Sequence, residues 1–121
     1  MKRTIPTFIL LITLVTSCKK EVFPEIDNLA GSWIEQTENS FKHKLIFEEE
    51  VLYFVKPTYT DTLLFRLDKK QELIYLSSKN DPASGESSHE ISLNKKENTL
   101  TVWGLFVSIP ENISETIFAK E

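Results

Sequence analysis

From Gly31 onward, turn formers interrupt the chain every few residues, and the apolar residues between them recur with a period of two rather than 3.6. Leu45 and Phe47 alternate with Lys44 and, less cleanly, Ile46 before Glu48-Glu49-Glu50 ends the run. Val51, Tyr53 and Val55 form the next segment, stopped by Pro57. Leu63, Phe65 and Leu67 alternate with Thr62, Leu64 and Arg66, and Asp68-Lys69-Lys70-Gln71 turns the chain into Leu73 to Leu76. After a loop rich in turn formers, Lys79 to Glu86, the residues His89, Ile91 and Leu93 alternate with Ser88, Glu90 and Ser92. Asn94-Lys95-Lys96-Glu97-Asn98 closes a hairpin onto Leu100 and Val102, and Pro110-Glu111-Asn112 breaks the chain before Thr116, Phe118 and Lys120. With Gly31 to Thr37 at the front, this spacing predicts eight strands of about six residues and no long helix. The fold class is therefore all-β: a small antiparallel eight-stranded up-and-down barrel, with a β-sandwich as the alternative.

The N-terminus has a different composition. Lys2 and Arg3 precede an apolar run from Ile5 to Val15, and the small polar Thr16-Ser17 then leads to Cys18. These are the charged, apolar and cleavage regions of a secretory signal, and the run is shorter than the roughly 20 residues that span a bilayer. Leu14-Val15-Thr16-Ser17-Cys18 resembles the lipobox of bacterial lipoprotein signals. The resemblance implies cleavage before Cys18, a diacylglycerol thioether on its sulfur and acylation of the new amino terminus. The organisation expected is a signal peptide over 1–17, a lipidated tether over 18–25 and a barrel domain over 26–121. The location expected is the bacterial cell envelope, lipid-anchored at the outer membrane, with the periplasmic or surface face left open. One acyl chain binds a membrane only marginally, whereas two or three hold permanently. Loss of Lys2 and Arg3 takes the formal charge from -4 to -6, so anionic headgroups repel the domain and bulk electrostatics give no basis for nucleic-acid binding.

Ile26-Asp27-Asn28-Leu29-Ala30-Gly31-Ser32-Trp33 resembles the opening of lipocalin-like proteins, in which a short helical turn leads into Gly-x-Trp at the first strand. The wider pattern, ending in Phe118-Ala119-Lys120, is similar to the small lipocalin-like lipoproteins of Bacteroidetes. That resemblance implies a barrel floor built from Gly31, Trp33 and Lys120, with the Lys120 ammonium across the indole where the family usually has Arg.

Strands of this length give a wall of roughly 15 Å after tilting. An eight-stranded barrel of that size either fills with side chains or holds one small ligand. The bulky residues assigned to the interior are Trp33, Phe47, Tyr53, Phe65, Tyr75, Val102 and Phe118. Of these, Phe47, Tyr53, Phe65, Tyr75 and Phe118 are the candidate ligand-lining residues for a small apolar or amphipathic ligand. A second class of function competes with binding. Leu45-Ile46-Phe47, Val51 to Val55 and Leu73 to Leu76 are apolar on both strand faces, although one face of a barrel wall should meet water. Either the segment near Leu105-Phe106-Val107 covers them, or they form a patch for a protein partner, with Leu52 or Phe54 as the residue to test.

No catalytic machinery is legible. His43 and His89 are far apart and lack metal-ligand spacing, so both are assigned to surface or cross-strand positions and no metal site is expected. There is no phosphate loop and no Gly-x-Ser-x-Gly elbow, and no cofactor is implied. Glu35, close after Trp33, is the one carboxylate placed among apolar neighbours. Asn112-Ile113-Ser114 matches a glycosylation sequon that a bacterial lipoprotein does not use. The chain is read as a binding or interaction protein and not as an enzyme.

Overall fold

The computed structural model describes residues 21–106 and 114–121. The signal sequence assigned to 1–17, the acylation expected at Cys18 and the start of the segment assigned to the tether lie outside the described residues. Among the described residues nine strands form one sheet: β1 (Glu21–Val22), β2 (Gly31–Glu35), β3 (Lys44–Glu48), β4 (Val51–Val55), β5 (Thr60–Asp68), β6 (Leu73–Ser78), β7 (Glu86–Asn94), β8 (Thr99–Trp103) and β9 (Glu115–Lys120). A single helical turn, α1 (Ile26–Leu29), precedes β2. From β2 to β9 each strand pairs antiparallel with the next, and β9 pairs back onto β2 through Trp33↔Lys120, Ile34↔Ala119 and Glu35↔Phe118. The result is a closed up-and-down barrel of eight strands with lipocalin-like architecture, and the sandwich alternative is excluded. Closure removes the free edges that an open meander of such short strands would expose.

The ninth strand lies in the segment assigned to the tether. The β6 ladder along β7 ends at Leu73↔Glu90, which leaves that edge of β7 unpaired further on. Glu21 and Val22 take it, opposite Asn94 and Leu93. The Ser92 hydroxyl donates to Glu21 Oε1 at 2.6 Å, and Pro24 just beyond is fully buried. The chain is thus docked on the barrel from Glu21 onward.

One end of the barrel is closed by short turns. Glu49-Glu50 alone joins β3 to β4, and the left-handed residues Glu49, Glu72 and Asn98 each sit in one of the three turns at this end. Trp33 is 1% exposed and lies over the fully buried Leu29, whose carbonyl accepts from the indole Nε1–H at 2.8 Å. The Lys120 ammonium stands 4.8 Å from the Trp33 ring centroid and donates to the Ala30 carbonyl at 2.8 Å. Gly31 has φ +114°, and a Cβ there would meet Lys120 Cε at 3.3 Å, so a glycine makes room for the lysine stem. Gly31, Trp33 and Lys120 therefore meet at one end of the barrel.

Inside, Leu45, Phe47, Leu52, Phe54, Phe65, Ile74, Leu76, Ile91, Leu93, Leu100, Val102 and Phe118 join Leu29 and Trp33 in one buried cluster. The Phe47 and Phe65 rings meet edge to face at 5.1 Å. The inward side chains of the described residues pack together in this cluster.

Candidate functional site

The opposite end carries the connections 36–43, 56–59 and 79–85, with Gly104 to Phe106 following β8. A groove of about 360 Å³ opens here. Phe54, Leu63, Leu76 and Leu105 form its apolar side, while Ser77, Ser78, Ser84, Ser87, His89 and Lys56 provide polar groups. Leu105 and Phe106 pack against the buried cluster at this mouth and not over the outer wall. The Phe106 ring lies 4.7 Å from His43 and 5.7 Å from Phe54.

Two polar pairs face inward at the mouth. Glu35 stands opposite Phe118 on the inner face of β2, and its Oε1 accepts both the backbone N–H of His43 at 3.0 Å and the ring Nδ1–H at 2.7 Å. The carboxylate is only 13% exposed, so this one neighbour satisfies an otherwise desolvated acceptor. Phe41 meets the His43 ring edge to face at 5.2 Å, which fixes its plane.

The second pair is on β7, where residues two apart share a face. The β7–β8 ladder stops at Ile91↔Val102, and just beyond it the Trp103 carbonyl takes its partner from His89 Nδ1 at 3.1 Å. A carbonyl only accepts, so Nδ1 carries the proton and Nε2 is left bare. The Ser87 hydroxyl, 2.8 Å away, must then donate to Nε2. His89 is buried, and desolvation holds its pKa below the ordinary value of 6.5, partly offset by the hydrogen bond to the Trp103 carbonyl. Neutral imidazole is the resident form at pH 7.

Lys56 crosses the rim, 2.8 Å from Asp61 Oδ2 and 5.0 Å from the Phe54 ring centroid. The Asp61 hydrogen bond raises its pKa against a smaller loss from burial, so the ammonium stays charged.

Phe47, Phe65 and Phe118 lie inside the barrel, as the alternation implies. Tyr53 and Tyr75 do not. Phe47 pairs with Leu52 and Leu45 with Phe54, so the inward face of β3 draws Leu52 and Phe54 inside and turns Tyr53 outward. Phe65 likewise pairs with Leu76 and Leu67 with Ile74, which leaves Tyr75 outside, opposite Arg66. The Arg66 guanidinium lies 4.0 Å from the Tyr75 ring centroid and is held by Glu86 through two 3.1 Å hydrogen bonds. Leu52 and Phe54, the residues marked for a partner test, are 1% and 5% exposed and form no outer patch.

Of the two positions expected for His89 it takes the cross-strand one, buried against the Trp103 carbonyl, and the residue that sequence reasoning missed beside it is Ser87. The signal for both was the Ser87-Ser88-His89 spacing on a strand, which puts hydroxyl and imidazole on one face. Among the described residues no group of three or more His, Cys, Asp or Glu side chains is placed to hold a metal.

Comparison of the chain with protein families, curated proteins and solved structures gives no match.

Proposed function

We propose that this protein is a lipid-anchored lipoprotein of the bacterial envelope, of the lipocalin-like kind, that binds a small apolar or amphipathic ligand at the mouth of its barrel. The observation that carries the reading is the mouth groove, where Phe54, Leu63, Leu76 and Leu105 lie beside a row of serine hydroxyls and His89. An apolar surface with a few convergent polar groups is the usual chemistry of a small-molecule site. The packed interior favours a ligand lying across the mouth over one buried to the floor.

All described elements lie within 21–121, so a form starting at Lys19 retains them. Native mass spectrometry of that form after exposure to an envelope lipid extract should show a bound small molecule. Leu63→Arg, which places a charge against the apolar side of the groove, should abolish the adduct. An adduct-free spectrum, with no saturable binding of an apolar dye such as 1-aminoanthracene, would remove the ligand-binding reading. The anchor is tested separately: labelled palmitate should enter the full chain and be lost in Cys18→Ala.

A second reading, docking of a protein partner, is supported by the outer face of β4 and β5. Val51 stands opposite Leu64, which is 38% exposed, and Ile26 at 51% lines the same shallow recess. If this face docks a partner, crosslinking in envelope membranes should capture a complex that Leu64→Lys eliminates.

A further inference from the structure

We infer that Ser87, with His89 as its base, is a nucleophile for acyl transfer, and that the mouth groove takes small carboxylic esters with short to medium acyl chains. The parts of such a site are a nucleophile, a base in hydrogen-bond reach and a third group that orients the base. Here they are Ser87 Oγ, His89 Nε2 at 2.8 Å and the Trp103 carbonyl at 3.1 Å from Nδ1. The carbonyl fixes the tautomer that leaves Nε2 free to accept, which is the orienting role a buried carboxylate plays in a serine–histidine–aspartate triad. Burial keeps the imidazole neutral at pH 7 and therefore able to take a proton. Ser87 is itself exposed at the rim, so an ester in solution reaches its oxygen, and the apolar side of the groove lies beside it.

The chemistry balances without a further reagent. The Ser87 hydroxyl attacks the ester carbonyl as its proton passes to His89 Nε2. The carbonyl–alkoxide bond breaks, the leaving alcohol takes the proton from Nε2, and the acyl group remains on Ser87 Oγ. Water then attacks the acyl carbonyl, giving its proton to Nε2, and the carboxylic acid leaves as Ser87 recovers its hydrogen. Lys56 lines the same groove, with its ammonium paired to Asp61. The carbonyl that orients His89 stabilises an imidazolium less than a carboxylate does, so turnover is slow and acylation is the step to observe.

The test treats the full chain, purified in mild detergent, with a fluorophosphonate probe and separately with p-nitrophenyl butyrate. Fluorophosphonate should label the folded protein at Ser87, located by peptide mass spectrometry, and not the heat-denatured chain. Ser87→Ala should lose the label and the p-nitrophenolate release while keeping its melting temperature, and His89→Gln should slow labelling at least tenfold. Absence of labelling above the denatured control, label retained in Ser87→Ala, or an unchanged rate in His89→Gln each overturns the proposal. It shares the mouth groove with the ligand-binding reading but fails separately: a protein that binds 1-aminoanthracene without being labelled is a binder and not an acyltransferase or hydrolase.

Discussion

Replacing Lys120 by Met isolates the charge at the barrel floor, because the methionine keeps most of the apolar stem that lies against Gly31. Two interactions end with the ammonium: the contact 4.8 Å from the Trp33 ring centroid and the 2.8 Å donation to the Ala30 carbonyl. The first is worth about 0.5–1 kcal/mol where the cation reaches water. A charged hydrogen bond is worth about 1.5–3 kcal/mol when fully desolvated, but Lys120 is exposed, so roughly 0.5–1 kcal/mol remains. The sum is about 1–2 kcal/mol, a fall in melting temperature of about 5–10 °C for a domain of this length. Urea unfolding of the form starting at Lys19 should show the loss in the midpoint with the slope unchanged. Lys120→Arg, which restores the cation over the indole, should come back to within about 0.5 kcal/mol of the parent. A Lys120→Met protein within about 0.3 kcal/mol of the parent would refute the reasoning, since the contact over Trp33 would then carry no stability.

Gly31→Ala forces an alanine into φ +114° with its Cβ 3.3 Å from Lys120 Cε, and should cost about 1–3 kcal/mol by denaturant titration; a neutral effect would mean that the strand start relaxes freely. Leu52→Ala should cost about 2–5 kcal/mol while Tyr53→Ala, one position along the same strand, should cost about 1 kcal/mol or less; the reverse order would mean that β4 presents its other face to the core. For His89 the folded pKa is depressed below 6.5, so the unfolded chain binds more protons as the solution is acidified. Its contribution is fully present above pH 6.5 and declines as the pH falls from there toward the folded value, by at most about 1.4 kcal/mol per pH unit. Urea midpoints from pH 7.5 to pH 5 should therefore fall more steeply in the parent than in His89→Gln, and parallel curves would contradict the assignment.

The sequence by itself determined the strands, because a period of two is a local property that residue order displays directly. Thr60–Asp68 and Val51–Val55 form where the alternation and the stop at Pro57 place them. The turn at Glu48-Glu49-Glu50 was equally legible, being a matter of neighbouring residues, whereas the helical turn before Gly31 was expected only from the resemblance to lipocalin-like proteins. Orientation was legible only where the two faces of a strand differ. In β5 Thr62 and Arg66 mark the outer face, and Phe65 goes inside. In Val51-Leu52-Tyr53-Phe54-Val55 and in Leu73-Ile74-Tyr75-Leu76 either face satisfies the core, so local pattern does not decide. The tertiary structure decides it through register: Phe47 opposite Leu52 and Phe65 opposite Leu76 bring those partners inside, and the tyrosines are left on the wall. The same holds at the mouth. Glu35 meets His43 across a hairpin, and His89 meets the Trp103 carbonyl because the β7–β8 ladder ends one pair earlier. Hydrogen bonds between strands depend on which residues closure sets opposite one another, and that is a property of the barrel as a whole.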